Sequence, residues 1–339
     1  MRHARNMTLW TVVNVAAVAT LSGGGLHAQN DSSPHTISFI TVDKDVKLEV
    51  LDWGGSGRPL VLLAGLGNNA HIFDKFAPKL TSSYHVYGIT RRGFGASSIP
   101  PATVGNYSAD RLGADVLAVV DSLKLDRPVL AGHSIAGEEL SAIGSRHPEK
   151  VAGLIYLDAG YTYAYYDASL GDLTLDLLDL KKELDRLSRA AGPGEQTPLI
   201  QDLLQSALPQ FEKDLQSRLE RLRVTPSPPR PQRTGETPPV ASPASAMADG
   251  LEKFSEIHVP ILAIFAVPHD FSPFFKDDPA GLAAFEAWDA ANTGAQASAF
   301  EAGLPTAHVV RLAHANHYVF NSNEADVLRE MQAFLAKLR

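Results

Sequence analysis

Ser134 lies in the run Gly-His-Ser-Ile-Ala-Gly at residues 132–137, which follows the apolar stretch 128–131 and opens a helix-like segment. A serine on such a turn is exposed and strained, because small residues at 132 and 136 let strand and helix approach closely. Its oxygen could act as a nucleophile, while the backbone N–H of Ile135 would point at the developing oxyanion. Taken alone, the run also fits an ordinary strand-to-helix turn.

Two histidines near the C-terminus are candidates for the general base that such a serine needs. The strand-like run 309–312 leads into Ala-His-Ala-Asn-His, so both His314 and His317 lie in a loop that can return to the serine. We favour His317, because the apolar residues 318–320 after it would hold its imidazole near Ser134. His314 is then a structural or rim residue.

Two aspartates could orient the imidazole, and both follow a buried-strand pattern. Asp270 comes a short loop after residues 261–266, and Asp158 ends the pattern at 154–157. We favour Asp270, because triads in the chain order Ser, Asp, His usually take their acid from the strand before the last one. Asp158 is the alternative acid, with capping of a turn as its structural role.

The chain resembles the α/β-hydrolase superfamily, in particular lid-bearing serine hydrolases of the esterase-like type. The resemblance covers nearly all of the sequence after residue 28, and its matching segments are Leu62, Ala64, Gly65, Leu66 and Gly67, then residues 92–97, the run around Ser134, and Asn316 with His317. The chain departs from the family pattern at Ala64, where histidine is common, and at Thr90, where aspartate often stands. Ala136 replaces the second glycine of the serine turn, and one extra residue precedes Asp270.

The resemblance implies a doubly wound, mostly parallel sheet with an inserted helical lid, and no cofactor or metal. It also implies that the backbone N–H of Leu66 is the second oxyanion donor. A Ser-His-Asp triad would then cleave a small-molecule carboxyl ester through an acyl-enzyme. Amide bonds, including aminopeptidase-like substrates, thioesters and carbon–carbon bonds beside a ketone stay open, because the same triad serves all of them. The serine argues against haloalkane or epoxide opening, where relatives carry aspartate.

Two other classes of function remain as alternatives. Residues 65–70 fit a Gly-x-Gly-x-x-Gly/Ala dinucleotide fingerprint after a strand, and Arg91 and Arg92 could hold the 2′-phosphate of NADP. Against an NADP-binding oxidoreductase, no acidic residue ends the next strand, and Ser134 and His317 would have no role. A hydrolase-fold binding protein without turnover is the other alternative.

The composition of the chain and its first residues indicate which partners and which cellular compartment are expected. Residues 1–28 carry Arg2, Arg5, an apolar run at 9–21 and a final Ala28, which predicts a secretory signal and a periplasmic or secreted protein. A retained signal anchor is the alternative, although the run is short for a bilayer span. Removing this segment takes the formal charge from −8 to −10, which disfavours nucleic acid. The chain has no cysteine, and no metal-binding motif occurs among its 12 histidines.

Apolar patterns predict the elements that must position these residues. Alternation predicts a strand pair, and short apolar runs between helical patterns predict buried parallel strands of a doubly wound sheet. The predicted strands are 36–41, 46–53, 60–64, 85–89, 129–131, 154–157, 261–266 and 309–312. Helices are predicted at 109–123, after a Ser108 cap, and at about 324–337.

The predicted domain organisation interrupts one hydrolase core by a helical lid. The core comprises residues 29–158 and 260–339, and the lid comprises residues 159–259 with a proline-rich segment at 225–243. Two leucine-rich stripes, one from Leu173 to Leu187 and one from Ile200 to Leu222, are expected to bury against each other and over the sheet edge. A lid there would choose the substrate, because sites in open α/β sheets lie at the carboxyl ends of the strands.

Overall fold

The computed structural model describes residues 35–224 and 241–338. The predicted signal segment 1–28 and residues 225–240 of the proline-rich segment lie outside the described residues. The eight strands are β1 Thr36–Asp43, β2 Val46–Gly54, β3 Pro59–Leu63, β4 His85–Ile89, β5 Val129–His133, β6 Gly153–Leu157, β7 Ile261–Ala266 and β8 Ala307–Leu312. The helices are α1 Val104–Tyr107, α2 Ala109–Ser122, α3 Ala136–Arg146, α4 Leu173–Arg189, α5 Pro193–Asp202, α6 Leu208–Val224, α7 Pro243–Asp249, α8 Pro279–Gly303, α9 Val319–Ser322 and α10 Glu324–Leu335.

The strands form one sheet in the order β1-β2-β4-β3-β5-β6-β7-β8. The pairs β1–β2 and β2–β4 are antiparallel, and all strands from β3 to β8 run parallel. Every residue of β5, β6 and β7 is buried, as expected for parallel strands covered on both faces. Separate apolar clusters lie on the two faces of the sheet. The prediction of a doubly wound, mostly parallel sheet is confirmed.

The helices that flank the candidate residues begin where the sequence signals place them. Helix α2 starts after Ser108, whose hydroxyl accepts from the backbone N–H of Arg111 at 3.3 Å. Helix α3 begins directly after the Ser134 turn, and α10 begins at Glu324 as predicted. No helix among the described residues has both the length and the apolar composition needed to cross a bilayer.

The segment between β6 and β7 is helical, but its buried face differs from the predicted stripes. In α4 the buried residues are Leu175, Asp176 and Leu180, whereas Leu184 is exposed. A π-helical stretch, Leu203–Ala207, joins α5 to α6 and adds one residue to a turn, so Leu203 is buried and Leu204 is exposed. The expectation that both stripes bury as continuous faces is therefore wrong. That this segment forms a lid stays a prediction.

Acidic side chains are buried between α4 and α6, where the sequence pattern predicted leucines. Asp176 and Asp214 are both buried, and the Nζ of Lys253 donates to Asp176 Oδ1 at 2.5 Å and to Asp179 Oδ2 at 2.8 Å. Tyr166 donates its hydroxyl to the same Asp176 carboxylate at 2.8 Å. A buried polar cluster thus connects α4 to the two ends of the segment, near Tyr166 and Lys253.

Candidate active site

Ser134 occupies a strained turn between β5 and α3. Its φ is +55°, in the left-handed region that side chains rarely adopt, and its N–H donates to Leu157 O at the end of β6 at 3.4 Å. Close approach of helix and neighbouring loop requires Gly137, because a Cβ there would lie 2.0 Å from the carbonyl oxygen of Ala159. Ser134 is 2% exposed, so the serine lies in a closed site and not on an open surface.

The imidazole of His317 is held by Asp158. Its Nδ1 lies 2.6 Å from Asp158 Oδ2, at the length of a charge-assisted hydrogen bond. Because Nδ1–H donates to the carboxylate, Nε2 keeps the lone pair that a general base needs. Asp158 leaves β6 with φ +47° and is fully buried, so its carboxylate is fixed at the carboxyl edge of the sheet.

Asp270, the favoured acid, does not reach the imidazole. Its Oδ1 accepts from the backbone N–H of Ser272 at 2.9 Å and from the Ser272 hydroxyl at 2.5 Å, which are the bonds of an aspartate that caps a turn. These bonds lower the pKa of Asp270. The structure thus reverses the two predicted placements: Asp158 lies against His317, and Asp270 stabilises a loop.

A second histidine, which the sequence analysis missed, shares the Asp158 carboxylate. His269 Nε2 donates to Asp158 Oδ2 at 2.8 Å, and its Nδ1 donates to Asp289 Oδ2 at 2.9 Å. Burial alone would lower the pKa of His269, but the carboxylates of Asp158 and Asp289 raise it to about 10. An imidazolium between two carboxylates therefore lies directly behind the His317 pair.

Further donors complete the surroundings of Asp158. The hydroxyl of Tyr161 donates to Oδ2 at 2.9 Å, and the backbone N–H of Ala266 donates to Oδ1 at 3.0 Å. Burial would raise the pKa of Asp158, but the two histidines hold it well below its ordinary value. The group is thus a fixed anion. Sequence offered one weak signal for these partners, since His269 directly precedes Asp270 and Tyr161 follows Asp158 by three residues.

The loop of His317 is joined to the serine turn through His133. The imidazoles of His133 and His317 lie 4.6 Å apart between centroids, and His133 Nε2 donates to the His317 carbonyl oxygen at 3.0 Å. Burial lowers the pKa of His133 to about 3, so this ring is neutral. His314 lies apart from this group, with its side chain exposed and Nδ1 3.7 Å from Glu286 Oε1.

The loop after β3 lies against the Ser134 turn at Gly65, while the role of Leu66 as an oxyanion donor stays a prediction. A Cβ on Gly65 would stand 3.2 Å from Ser134 Cβ and 2.7 Å from His133 Nδ1, so only glycine fits there. Among the turn and cap bonds of the described residues, the backbone N–H groups of Leu66 and Ile135 donate to no carbonyl. Arg91 fixes the start of this loop by donating to Ala64 O at 2.9 Å and pairing with buried Glu139.

Glu138 and Tyr163 add unusual polar groups beside the serine. Glu138 is fully buried, and neither of its carboxyl oxygens has a hydrogen-bond partner within the described part of the chain. Burial, followed by the neighbouring Glu139, raises the pKa of Glu138 well above its ordinary value. Burial also raises the pKa of Tyr163, whose hydroxyl faces Ser134. Two buried polar groups, the Glu138 carboxyl and the Tyr163 hydroxyl, thus lie near the Ser134 turn.

The same residues do not form a dinucleotide site. After the loop at 65–69, the chain enters a four-residue 3₁₀ turn, Ala70–Phe73, and not the longer helix whose N-terminus binds a pyrophosphate. Arg92 is fully buried in a bidentate pair with Asp115, at 2.6 Å for both bonds, and Arg91 is paired with Glu139. Both guanidinium groups are thus already paired with buried carboxylates.

Asp158, His269 and His317 also have the residue types of a metal site, with donor atoms within 4.8 Å of one another. Their N···O separations of 2.6 and 2.8 Å are hydrogen-bond lengths. Donor atoms around a tetrahedral zinc stand about 3.3 Å apart. This group fits proton sharing better than coordination.

A family model described as the alpha/beta hydrolase fold matches residues 58–230, just over half of the chain. The chain belongs to the α/β-hydrolase fold family. The matched span includes the loop after β3, the Ser134 turn and Asp158.

Relatives of this α/β hydrolase act on different bonds. A fluoroacetate dehalogenase from a Burkholderia species is 34% identical over 34% of this chain and 38% of its own length. A putative carbamate hydrolase from Caulobacter segnis is 33% identical over 35% of this chain and 44% of its own length. The chain thus matches less than half the length of either relative. A hydrolase structure from Pseudomonas aeruginosa superposes with a TM-score of 0.54 over 91% of this chain and 99% of its own, at 19% identity, which supports the shared fold.

Proposed function

We propose that this α/β hydrolase is a serine hydrolase that cleaves a small-molecule carboxyl ester or a related acyl bond. The observation that supports it most is the 2.6 Å pair of His317 and Asp158 beside a serine held at φ +55°. Nucleophile, base and acid then come from the ends of β5, β8 and β6. This set differs from the sequence-based one only in the acid.

The reaction would proceed through an acyl-enzyme. His317 Nε2 takes the proton of Ser134 Oγ, and the oxygen attacks the substrate carbonyl carbon. The N–H groups of Leu66 and Ile135 donate to the tetrahedral oxyanion. His317 then returns the proton to the leaving alcohol, and water activated by the same imidazole releases the acid. Asp158 holds the ring and stabilises its charged form in both halves.

The closed surroundings of the serine favour small substrates. Ser134 is 2% exposed and Tyr163 faces it, so a bulky acyl group has no room without movement of that tyrosine. The buried carboxyl of Glu138, whose pKa is raised by burial, adds a further polar group near the Ser134 turn. We therefore expect short acyl esters with a polar group to be better substrates than long-chain esters.

A fluorophosphonate probe tests the proposal, because it phosphonylates serines that are activated by a base. We expect stoichiometric labelling of the protein at Ser134, loss of labelling in Ser134→Ala, and full labelling in the control Ser298→Ala, whose serine is exposed on α8. Absence of labelling in folded protein would argue for a binding protein without turnover, and quenching of NADPH fluorescence would then favour an oxidoreductase.

A substrate panel tests the bond type. Acyl esters and amides of increasing size should be compared by kcat/KM on the same enzyme preparation. We expect the highest values with short esters. Faster turnover of aminoacyl amides would instead assign an aminopeptidase-like activity to the same triad.

A further inference from the structure

The loop that follows β3 is bonded at both of its ends to two consecutive residues directly after β4. Arg91 Nη2 donates to the carbonyl oxygen of Ala64, just before the Gly65–Asn69 loop, at 2.9 Å. The backbone N–H of Ala70, just after the loop, donates to Thr90 Oγ1 at 3.0 Å. Both bonds are buried, so moving the loop as a unit would leave buried polar groups without partners.

Thr90 is itself fixed on both sides. Its hydroxyl donates to Glu49 Oε2 at 2.6 Å while it accepts from the Ala70 N–H, and its carbonyl oxygen accepts from Ser97 Oγ at 2.6 Å. All three side chains of this chain of bonds are buried. The segment that leaves β4 is therefore a rigid support for the loop.

The guanidinium that bonds the loop also bonds the helix after the serine turn. Arg91 Nε pairs with Glu139 Oε1 in the first turn of α3, and the side chains of the two residues are 6% and 3% exposed. Leu66 follows Ala64 by two residues, and Ile135 directly precedes α3. One planar group thus connects the two backbone segments that carry the proposed oxyanion donors.

Burial of this ion pair favours a role in positioning over a role in stability. Burial raises the pKa of Glu139, and the charge of Arg91 acts against that effect. Removing both charges from water costs free energy, so an apolar pair of similar volume often stabilises a fold equally well. An apolar side chain cannot donate to the Ala64 carbonyl. The directed bond is therefore what the arginine adds.

We propose that Arg91 is a positioning residue that holds the Gly65–Asn69 loop against α3, so that the N–H groups of Leu66 and Ile135 face the same oxyanion. The inference rests on the proposed function, because it concerns the oxyanion of that reaction. Donors stabilise an oxyanion when they lie about 2.7–3.1 Å from it. A misplacement of about 1 Å can lower the rate by about 100-fold. Arg91 acts through the loop and not on the substrate.

The neighbouring Arg92 provides a matched control. It is fully buried and forms a bidentate pair with Asp115 on α2, at 2.6 Å for both bonds. Within the described part of the chain, its guanidinium donates to no atom of the Gly65–Asn69 loop or of α3. Loss of this pair removes a buried ion pair of the same kind without releasing the loop.

Replacement of each pair by apolar side chains tests the proposal in the full-length protein. The variants are Arg91→Met with Glu139→Leu, and Arg92→Met with Asp115→Leu. Kinetics on a short acyl ester are measured with the Tm and with the affinity for a trifluoromethyl ketone, which forms a hemiketal oxyanion on an active serine. In the Arg91 pair variant, kcat and inhibitor affinity should each fall by at least about tenfold, with KM within about threefold. In the Arg92 pair variant, kcat and inhibitor affinity should change by less than about threefold whatever the Tm.

Arg91→Lys decides where the Arg91 pair variant fails to fold. Lysine keeps a positive charge beside Glu139 but lacks the planar fork, so kcat should fall by about tenfold with KM unchanged. Unchanged kcat and inhibitor affinity in the folded Arg91 variants would overturn this inference alone, as would equal losses in the two pair variants. Absence of turnover and of Ser134 labelling in the unchanged protein would overturn the proposed function, and this inference with it.

Discussion

The carboxylate of Asp158 is the central hydrogen-bond acceptor of the site. One of its oxygens accepts from His317, His269 and Tyr161, and the other accepts from the backbone of β7. An anion with four donors stays ionised although it is fully buried. It can hold His317 in one orientation while the imidazole gains and loses a proton.

The first prediction at this scale compares the two acids. Asp158→Asn should lower kcat/KM by at least about 10³-fold, because the amide cannot stabilise the charged imidazole. Asp270→Asn should change it by less than about threefold, since only a turn bond is lost. Steady-state kinetics of the two variants, measured on the ester with the highest kcat/KM, shows which aspartate is the acid. A larger loss in Asp270→Asn would restore the acid favoured from sequence.

The second prediction concerns the charge of His269. With a pKa raised to about 10, this ring is positive at neutral pH and draws on the same carboxylate as His317, 6.1 Å away between ring centroids. Replacing His269 by glutamine removes a positive charge near His317. The carboxylate of Asp158 then stabilises the protonated form of His317 more strongly. The acidic limb of the kcat/KM profile should then move upward by about one pH unit.

Two variants make that test specific. Asp289→Asn should leave the acidic limb in place or move it slightly downward, because Asp158 still keeps His269 charged and only a nearby negative charge is lost. His314→Gln, at an exposed histidine near the end of β8, should leave the limb in place. Equal profiles for all four proteins would mean that His269 has a structural role only.

The sequence did not indicate which aspartate contacts His317, and the reason is local geometry. Both aspartates end strand patterns, so composition does not distinguish them. Asp158 turns inward with φ +47°, whereas the carboxylate of Asp270 is taken by Ser272 two residues later. The extra residue before Asp270 was the available signal that its loop differs from the family pattern.

At the scale of elements, the serine turn depends on how closely α3 approaches the chain after β6. Gly137 permits this approach, because the Ala159 carbonyl lies where its Cβ would be. The same contact places Asp158, the residue before Ala159, beside the serine turn. The packing of α3 and the placement of Asp158 therefore both depend on Gly137.

Gly137→Ala should disturb both stability and activity. A Cβ 2.0 Å from a backbone oxygen forces the helix or the loop to shift, at a cost of about 2 kcal/mol or more. Gly194→Ala on α5 is the matched control, since nothing lies within 4 Å of its Cβ and alanine is the better helix former by about 1 kcal/mol. In Gly137→Ala, the free energy of unfolding measured by chemical denaturation and the value of kcat/KM should both fall. An unchanged Gly137→Ala protein would contradict the close approach.

Elements of the core were predictable because buried parallel strands are short apolar runs, and each predicted strand has its counterpart in the sheet. The helices between β6 and β7 were less predictable. A helical period assumes 3.6 residues per turn throughout, and the π-helical stretch at 203–207 breaks that count. Asp214 therefore occupies a buried position that the period assigned to Leu215.

At the scale of the whole molecule, the buried carboxyl of Asp214 makes the stability of the helical segment between β6 and β7 depend on pH. Burial, together with the facing carboxylate of Asp176, raises the pKa of Asp214 to about 7. The folded protein holds a proton there that the unfolded chain releases near pH 4. The stabilising contact between α4 and α6 is thus present at low pH and lost as the pH rises through about 7. Groups that face the pair are Lys253, Tyr166, Asp172 and Gln210.

Asp214→Asn should remove that dependence, because an amide stays neutral at every pH and can still accept from Gln210. Hydrogen exchange of α6 at pH 8 should be slower in the variant than in the unchanged protein, and the two should exchange alike at pH 5 after correction for the intrinsic rate. Asp202→Asn, at an exposed carboxylate on α5, is the control and should not alter exchange in α6. If α6 exchanges equally fast in both proteins at pH 8, the ionisation of Asp214 does not control the local stability of this helix.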